Sequence, residues 1–304
     1  MDRPPQPSAA NYDALVAVGK VPTSSFPRWG KWIDAPQAGL PPVLEQPCLR
    51  TREPMTIDGR LDEEAWARAV WSEPFGAIAT GERVGLETRV AFLWDERCLY
   101  AGFRIEDPDV RGTMTGFHDH VYIKDEDVEL FIEGEGYYYE LGINPINTVY
   151  EIRWTWVESL VKKRDWAELE RLLSTPNFLY FLAREGEPIG RHGDLDWELP
   201  GLEHAVRIDG VLNRPEIRDR GWTVEFALPW EGLHAMGGPL QKPPTAGDSI
   251  RATAYRAHHD RKGADRMPSS VGWSWSVTGN DNIHVPERWN KITLMDDLIL
   301  PGGK

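Results

Sequence analysis

Asp127-Val128-Glu129-Leu130-Phe131-Ile132, Glu133-Gly134-Glu135-Gly136, Tyr137-Tyr138-Tyr139-Glu140-Leu141-Gly142-Ile143 is read as two strands joined by a turn. The outer runs are short and rich in apolar, aromatic and β-branched residues, and the glycine-containing tetrapeptide between them is turn chemistry. Glu129 and Glu140 interrupt otherwise apolar strands. A carboxylate inside a sheet is costly unless it is paired or functional. Because the two strands are neighbours, both glutamates can face one concave surface. The bland alternative is a salt bridge to Arg104, Arg153 or Arg256.

Outward from this hairpin the same pattern recurs. In Thr88–Trp94, residues Val90, Phe92 and Trp94 fall on one face, which is strand periodicity. Asp95-Glu96-Arg97 breaks it, and Leu99–Ile105 resumes it. Further strands are expected at 205–208, 222–228, 249–256 and 289–294. Ile57-Asp58-Gly59-Arg60-Leu61-Asp62 reads as a strand end, a turn and a helix cap, with Asp62 capping a short helix that holds Ala65, Trp66 and Ala69. Asp165-Trp166-Ala167-Glu168 has capping-box form, so a helical insertion is expected at about 158–174. Residues 1–47 are proline-rich and read as an extended arm, with Trp29 and Trp32 docking part of it. The expected fold is all-β: one antiparallel β-sandwich domain over 48–304 with a short helical insertion.

The 304 residues carry 34 Lys and Arg against 48 Asp and Glu, a formal net charge of -14. That field repels polyanions, so neither nucleic acid nor an anionic membrane is an expected partner. No stretch is long and apolar enough to span a bilayer. Met1–Pro7 lacks the apolar core of a signal peptide, which leaves a cytoplasmic location or a trimmed export signal. Cys48 and Cys98 have no metal-ligand spacing and are either a disulfide or two buried thiols. No nucleotide or organic-cofactor fingerprint is present.

At this point the residues carry a likeness. Ile57–Asp62 with Ala65-Trp66, Leu99-Tyr100 with Phe103 and Glu106–Asp109, Asp125–Ile132, Tyr139–Pro145, Gly221–Trp230, Gly247-Asp248, Trp273–Ser276 and His284–Trp289 follow one another as in the family 9 carbohydrate-binding modules. Together they span most of residues 55–295. The chain resembles that family, and the resemblance implies a jelly-roll-like, DOMON-like β-sandwich that binds sugars, often with structural calcium, in the service of polysaccharide breakdown. It departs from the family in its long arm, in its helical insertion, and in having Tyr122 or Ile123 where tryptophan is expected.

Sugar binding needs an aromatic ring on the pyranose face and planar polar groups for the hydroxyls. The expected cleft is lined by Tyr122, Glu129, Glu140, Asn144, Arg256 and Trp275, with Trp154 and Trp273 as further aromatic candidates. The alternative is an enzyme acting on glycosidic bonds, with Glu129 and Glu140 as its two carboxyl groups or with a histidine-bound metal. His118 and His120 lie two apart and can share a metal with His258, His259 or Asp260, and Asp127 is a further candidate ligand. Calcium is the more plausible ion, held by Asp107, Asp109, Asp125, Glu126 and Asp127 in acidic loops. A third reading is a cell-surface scaffold whose arm and insertion contact a partner protein.

Overall fold

The computed structural model describes residues 39–175, 178–181, 191–260, 269–279 and 282–297. Its strands are β1 (Glu45–Arg50), β2 (Gly76–Ala77), β3 (Thr88–Trp94), β4 (Cys98–Glu106), β5 (Asp127–Glu133), β6 (Tyr137–Ile143) and β7 (Val149–Trp156). They continue with β8 (Phe178–Phe181), β9 (Arg191–Asp194), β10 (Glu203–Asp209), β11 (Gly221–Pro229), β12 (Ser249–Asp260), β13 (Ser269–Ser274) and β14 (Asn290–Met295). One hydrogen-bonded path runs β10-β11-β4-β3-β1-β14-β12-β5-β6-β7-β9-β8. The sheet curls on itself, so the β10-β11-β4-β3 half faces the β12-β5-β6-β7 half across the core. This is the expected β-sandwich. The pairing is antiparallel except at β1, which runs parallel to both β14 and β3.

Alternation along each strand sends one set of side chains into the sandwich. Val90, Phe92 and Trp94 of β3 and Leu99, Ala101 and Phe103 of β4 meet Val128, Leu130 and Ile132 of β5 and Tyr139, Leu141 and Ile143 of β6 in a single core cluster. The opposite faces are covered as well. Helix α1 (Glu64–Arg68) puts Ala65 and Trp66 over Ala91, Leu93 and Tyr100. On the other half, Phe131, Tyr138, Tyr150, Ile152 and Trp154 lie under Val121, Leu195, Ile283 and Trp289 from the connecting segments. The β12-β5-β6-β7 half is therefore a sheet with two buried faces, whereas α1 covers only part of the other half's outer face and leaves Arg104 exposed.

The Ile57–Asp62 motif has a different logic from a helix cap. Asp62 does not cap α1, whose N-cap is Glu63 without a side-chain bond. Instead Glu225 of β11 accepts from Trp66 Nε1 at 2.9 Å and from the amides of Asp58 and Gly59 at 3.2 and 3.1 Å. Gly59 has a φ of 79°, and its α-carbon passes so close to β10 that a β-carbon would lie 2.9 Å from the Arg207 nitrogen. Two amides thus tie the turn to β11, and Gly59 lets it lie against β10.

The insertion holds two helices, α2 (Val157–Lys163) and α3 (Trp166–Ser174). Asp165 caps α3 by accepting from the Glu168 amide at 3.1 Å, as the capping box implies. The sheet starts at Glu45, inside the stretch read as an arm; residues 1–38, with Trp29 and Trp32, lie outside the described residues. Cys48 and Cys98 are free buried thiols.

Candidate functional site

On the outer face of the β12-β5-β6-β7 half, a line of polar groups crosses three strands. Glu129 of β5 stands opposite Gly142 of β6, and Gly142 stands opposite Tyr150 of β7. A β-carbon on Gly142 would lie 2.1 Å from Tyr150 Cε1, so only glycine lets the tyrosine ring lie across β6. The ring brings its hydroxyl to 2.8 Å from Glu129 Oε1 and 3.1 Å from Glu140 Oε1. Glu140 Oε2 accepts from Trp154 Nε1 at 2.6 Å, and Asp127, two residues along the same face of β5, adds its charge beside Glu129. The hydrogen-bonded chain is Trp154, Glu140, Tyr150, Glu129.

A hydroxyl has one proton to give. If Tyr150 donates to Glu129, its contact with Glu140 needs a proton on Glu140. Burial supplies the driving force. It is the largest cause raising all three carboxyls, with Glu140 pushed up to about 7 and Glu129 and Asp127 held well above the carboxylate range. Mutual repulsion adds to the rise at Glu129, while the Tyr150 and Trp154 donors pull Glu140 back down. Glu129 and Glu140 are each about 5% exposed or less, so the charge they keep is strongly felt.

The rim is aromatic. Tyr122, on a 3-10 turn, lies 5.5 Å from Tyr150, and His120 stacks on Tyr150 at 5.7 Å with a 5° interplanar angle. His120 Nδ1 is 3.1 Å from the Tyr122 hydroxyl. Both rim residues are partly exposed. Behind Glu140, His284 Nδ1 is 2.9 Å from the Tyr138 hydroxyl, and Arg191 spreads over the faces of Tyr138, Trp154 and Trp156.

The structure therefore brings together Tyr122, Glu129 and Glu140 of the six expected cleft residues, and not the other three. Asn144 spends its amide on Met114 O and Asp125 and its carbonyl on the Ile146 and Thr148 amides, so it shapes the β6–β7 turn. Arg256 points the opposite way from Glu129, into the sandwich, because β12 pairs Tyr255 with Glu129. It is fully buried and bonds Thr88 Oγ1, the Glu106 carbonyl and Asp107. Trp275 packs on Phe92 in the core. Trp273 is buried beneath Arg256 and His258, and Trp154 is an internal donor. Arg104 and Arg153 do not pair with the glutamates: Arg104 stacks on Trp71 and Arg153 approaches Glu168. Sequence reasoning missed Tyr150, whose only signal was its place two residues after Thr148 on a strand not foreseen.

The expected metal ligands also separate. His120 serves the rim, and His258 bonds Glu126 at 2.8 Å and stacks on Trp273. His118 turns instead toward Leu195 and Glu151. The acids assigned to calcium are otherwise engaged. Asp107 and Glu126 lie 3.3 and 3.7 Å from the Arg256 guanidinium, Asp109 pairs with Arg111, and Asp127 accepts from Ala257. Asp125 accepts from the Thr113 and Met114 amides, the Thr113 hydroxyl and Asn144. A buried guanidinium at the centre of the group does not fit a calcium cage.

A groove of about 660 Å³ opens on the outer face of the other half, between arginines 60, 89, 104, 207 and 220 and the acids Glu87, Glu106 and Asp209. Arg89 pairs with Glu87, Arg220 pairs with Asp209, and Trp71 is capped by Arg104 at 3.9 Å. It presents no free aromatic face.

No protein-family model and no curated protein sequence matches the chain. Among solved structures, a protein of Bacteroides uniformis described as a "putative carbohydrate-binding protein" aligns over 83% of this chain and 100% of its own, with a TM-score of 0.52 and 13% identity. The two share a fold. A family 9 module of Caldicellulosiruptor kristjanssonii, solved with cellotriose and with glucose, aligns over 85% and 86% of this chain and 100% and 99% of its own. The TM-scores are 0.46 and 0.47, at 13% and 12% identity. Among the described residues no helix is long and apolar enough to cross a membrane.

Proposed function

We propose that the protein binds a neutral saccharide at the aromatic rim over β5, β6 and β7, with Tyr122 and His120 offering rings and the buried Glu129 and Glu140 fixing Tyr150 beneath them. One observation carries the reading: two glutamates on adjacent strands converge on one hydroxyl inside an aromatic surround. The rings of His120 and Tyr122 pack on Tyr150 and are partly exposed, which suits stacking on a pyranose face. The described character of the Bacteroides uniformis protein, which shares the fold, supports the same ligand class. The resemblance to family 9 modules is the support for a part in polysaccharide breakdown.

A glycosidase using the same pair needs room between its carboxyl groups for substrate or water. The Tyr150 hydroxyl fills that space, which favours binding over hydrolysis. The test is calorimetric titration with a panel of neutral mono- and oligosaccharides. Saturable binding to one class, weakened at least tenfold by Glu140→Gln and by Tyr122→Ala, is expected. A flat response across the panel, or equal affinities in all three proteins, refutes the proposal.

A further inference from the structure

The loop between β4 and β5 holds His118 in an unusual setting. Its φ is 52°, in the left-handed region that non-glycine residues enter at a cost. Nδ1 lies 2.9 Å from the Leu195 carbonyl. A carbonyl only accepts, so Nδ1 carries the proton and Nε2 of the neutral ring is a lone pair. Phe117 stacks on the ring at 4.0 Å with a 10° interplanar angle, which fixes its plane from one side.

That lone pair faces Glu151 of β7. Glu151 is 5% exposed, and its Oε1 accepts from the Tyr139 hydroxyl at 2.6 Å and the Leu199 amide at 2.7 Å. Oε2 has no hydrogen-bond donor among the described residues. It lies 3.9 Å from His118 Nε2, too long for a hydrogen bond but short enough for one ion to touch both. The exposed Glu198, next to the residue whose amide holds Glu151, brings a second carboxylate. The three ligand atoms lie within 4.8 Å of one another. Among the described residues no lysine or arginine forms an ion pair with Glu151 or Glu198. A buried carboxylate oxygen, an oriented imidazole lone pair and a mobile-length carboxylate side chain thus meet without a cation.

We propose that His118, Glu151 and Glu198 bind a divalent first-row transition ion. An imidazole nitrogen beside two carboxylates suits zinc and its neighbours, whereas calcium prefers oxygen alone. A ring N–H given to a backbone carbonyl is the arrangement by which ligating histidines are oriented. The ion ties the 116–120 loop to β7 and to the 195–199 segment. It does not depend on the saccharide reading, and it differs from the Asp107, Glu126 and His258 group, where Arg256 supplies the positive charge.

The test is zinc titration of the chelator-treated full chain by calorimetry, followed by cobalt(II) absorption at the same stoichiometry. One equivalent is expected to bind. Glu198→Gln, a surface change that leaves the fold intact by circular dichroism, weakens zinc binding at least tenfold. His118→Gln removes it, and His258→Gln leaves it unchanged. The proposal is overturned by no zinc binding at micromolar concentration. It is equally overturned by binding that survives both Glu198→Gln and His118→Gln, or that disappears only in His258→Gln.

Discussion

Tyr150→Phe removes one oxygen from the middle of the polar chain and leaves the ring in place over Gly142. At pH 8 Glu140, pushed up to about 7, is mostly ionised, and a hydrogen bond to a charged group contributes about 1.5–3 kcal/mol. Near pH 5.5 Glu140 is mostly protonated. The bond is then one between neutral groups, contributing about 0.5–1.5 kcal/mol. The variant is therefore expected to lose about twice as much stability at pH 8 as at pH 5.5. At a conversion of about 2–4 °C per kcal/mol for a domain of this size, the melting temperature falls by roughly 3–12 °C at the higher pH. Urea denaturation at both pH values, with an unchanged slope on denaturant, measures it. Equal losses at the two pH values, or a loss below about 0.5 kcal/mol at pH 8, refute the shared-proton network.

The wild-type protein carries a related pH dependence. Folded pKa values raised above the unfolded ones give stability that is complete below about 4.5 and is lost as pH rises through about 7, where Glu140 and Glu225 titrate. The melting temperature of the wild type relative to that of Glu140→Gln is therefore expected to rise as pH falls from 8 to 5.5, and a flat or opposite difference in that window contradicts it. Glu225→Ala strands three donors at the Ile57–Asp62 turn and is expected to cost about 3 kcal/mol in urea denaturation, while Glu225→Asp recovers part of it. Arg256→Met leaves Asp107 and Glu126 buried without their counter-charge and is expected to cost about 3–5 kcal/mol, with saccharide affinity of the folded fraction unchanged. Asp165→Ala is expected to cost about 1 kcal/mol through the lost cap of α3.

The strands that build the sandwich were legible because their alternation and their turns are local. Val90, Phe92 and Trp94 share a face in the structure as in the sequence. The two glutamates were legible for the same reason, since a carboxylate between apolar neighbours is conspicuous on any strand. What alternation does not reveal is which face of one strand matches which face of another. Arg256 and Tyr255 are equally interrupting residues, and only the register that sets Tyr255 opposite Glu129 sends Arg256 to the far side. Trp275 was unreadable for a related reason: both faces of the β12-β5-β6-β7 half are covered, so a tryptophan there has the same surroundings inside the sandwich as outside it. Asn144 could be read from the sequence as a ligand or, with Pro145, as a turn; it is the turn, and the partners that decide it, Met114 and Asp125, come from a segment the sequence does not bring beside it. Tyr150 was invisible because its role depends on Gly142, a residue whose contribution is the space it leaves.

The parallel seam at β1 has a consequence for how the chain is made. β1 forms two register pairs with β3 and five with β14. A ribosome releases β1 roughly 240 residues before β14, which at bacterial or eukaryotic synthesis speeds is on the order of ten to fifty seconds. Throughout that interval the nascent strand holds Cys48 and Leu49 on an open edge with little to pair with. Closure of the sandwich is then a late event that joins the two ends of the folded part, and chaperone demand should be concentrated before it. Nascent chains arrested just before and just after residue 295 has cleared the exit tunnel are expected to differ sharply in protease resistance, and equal resistance would show that the seam closes without its last strand.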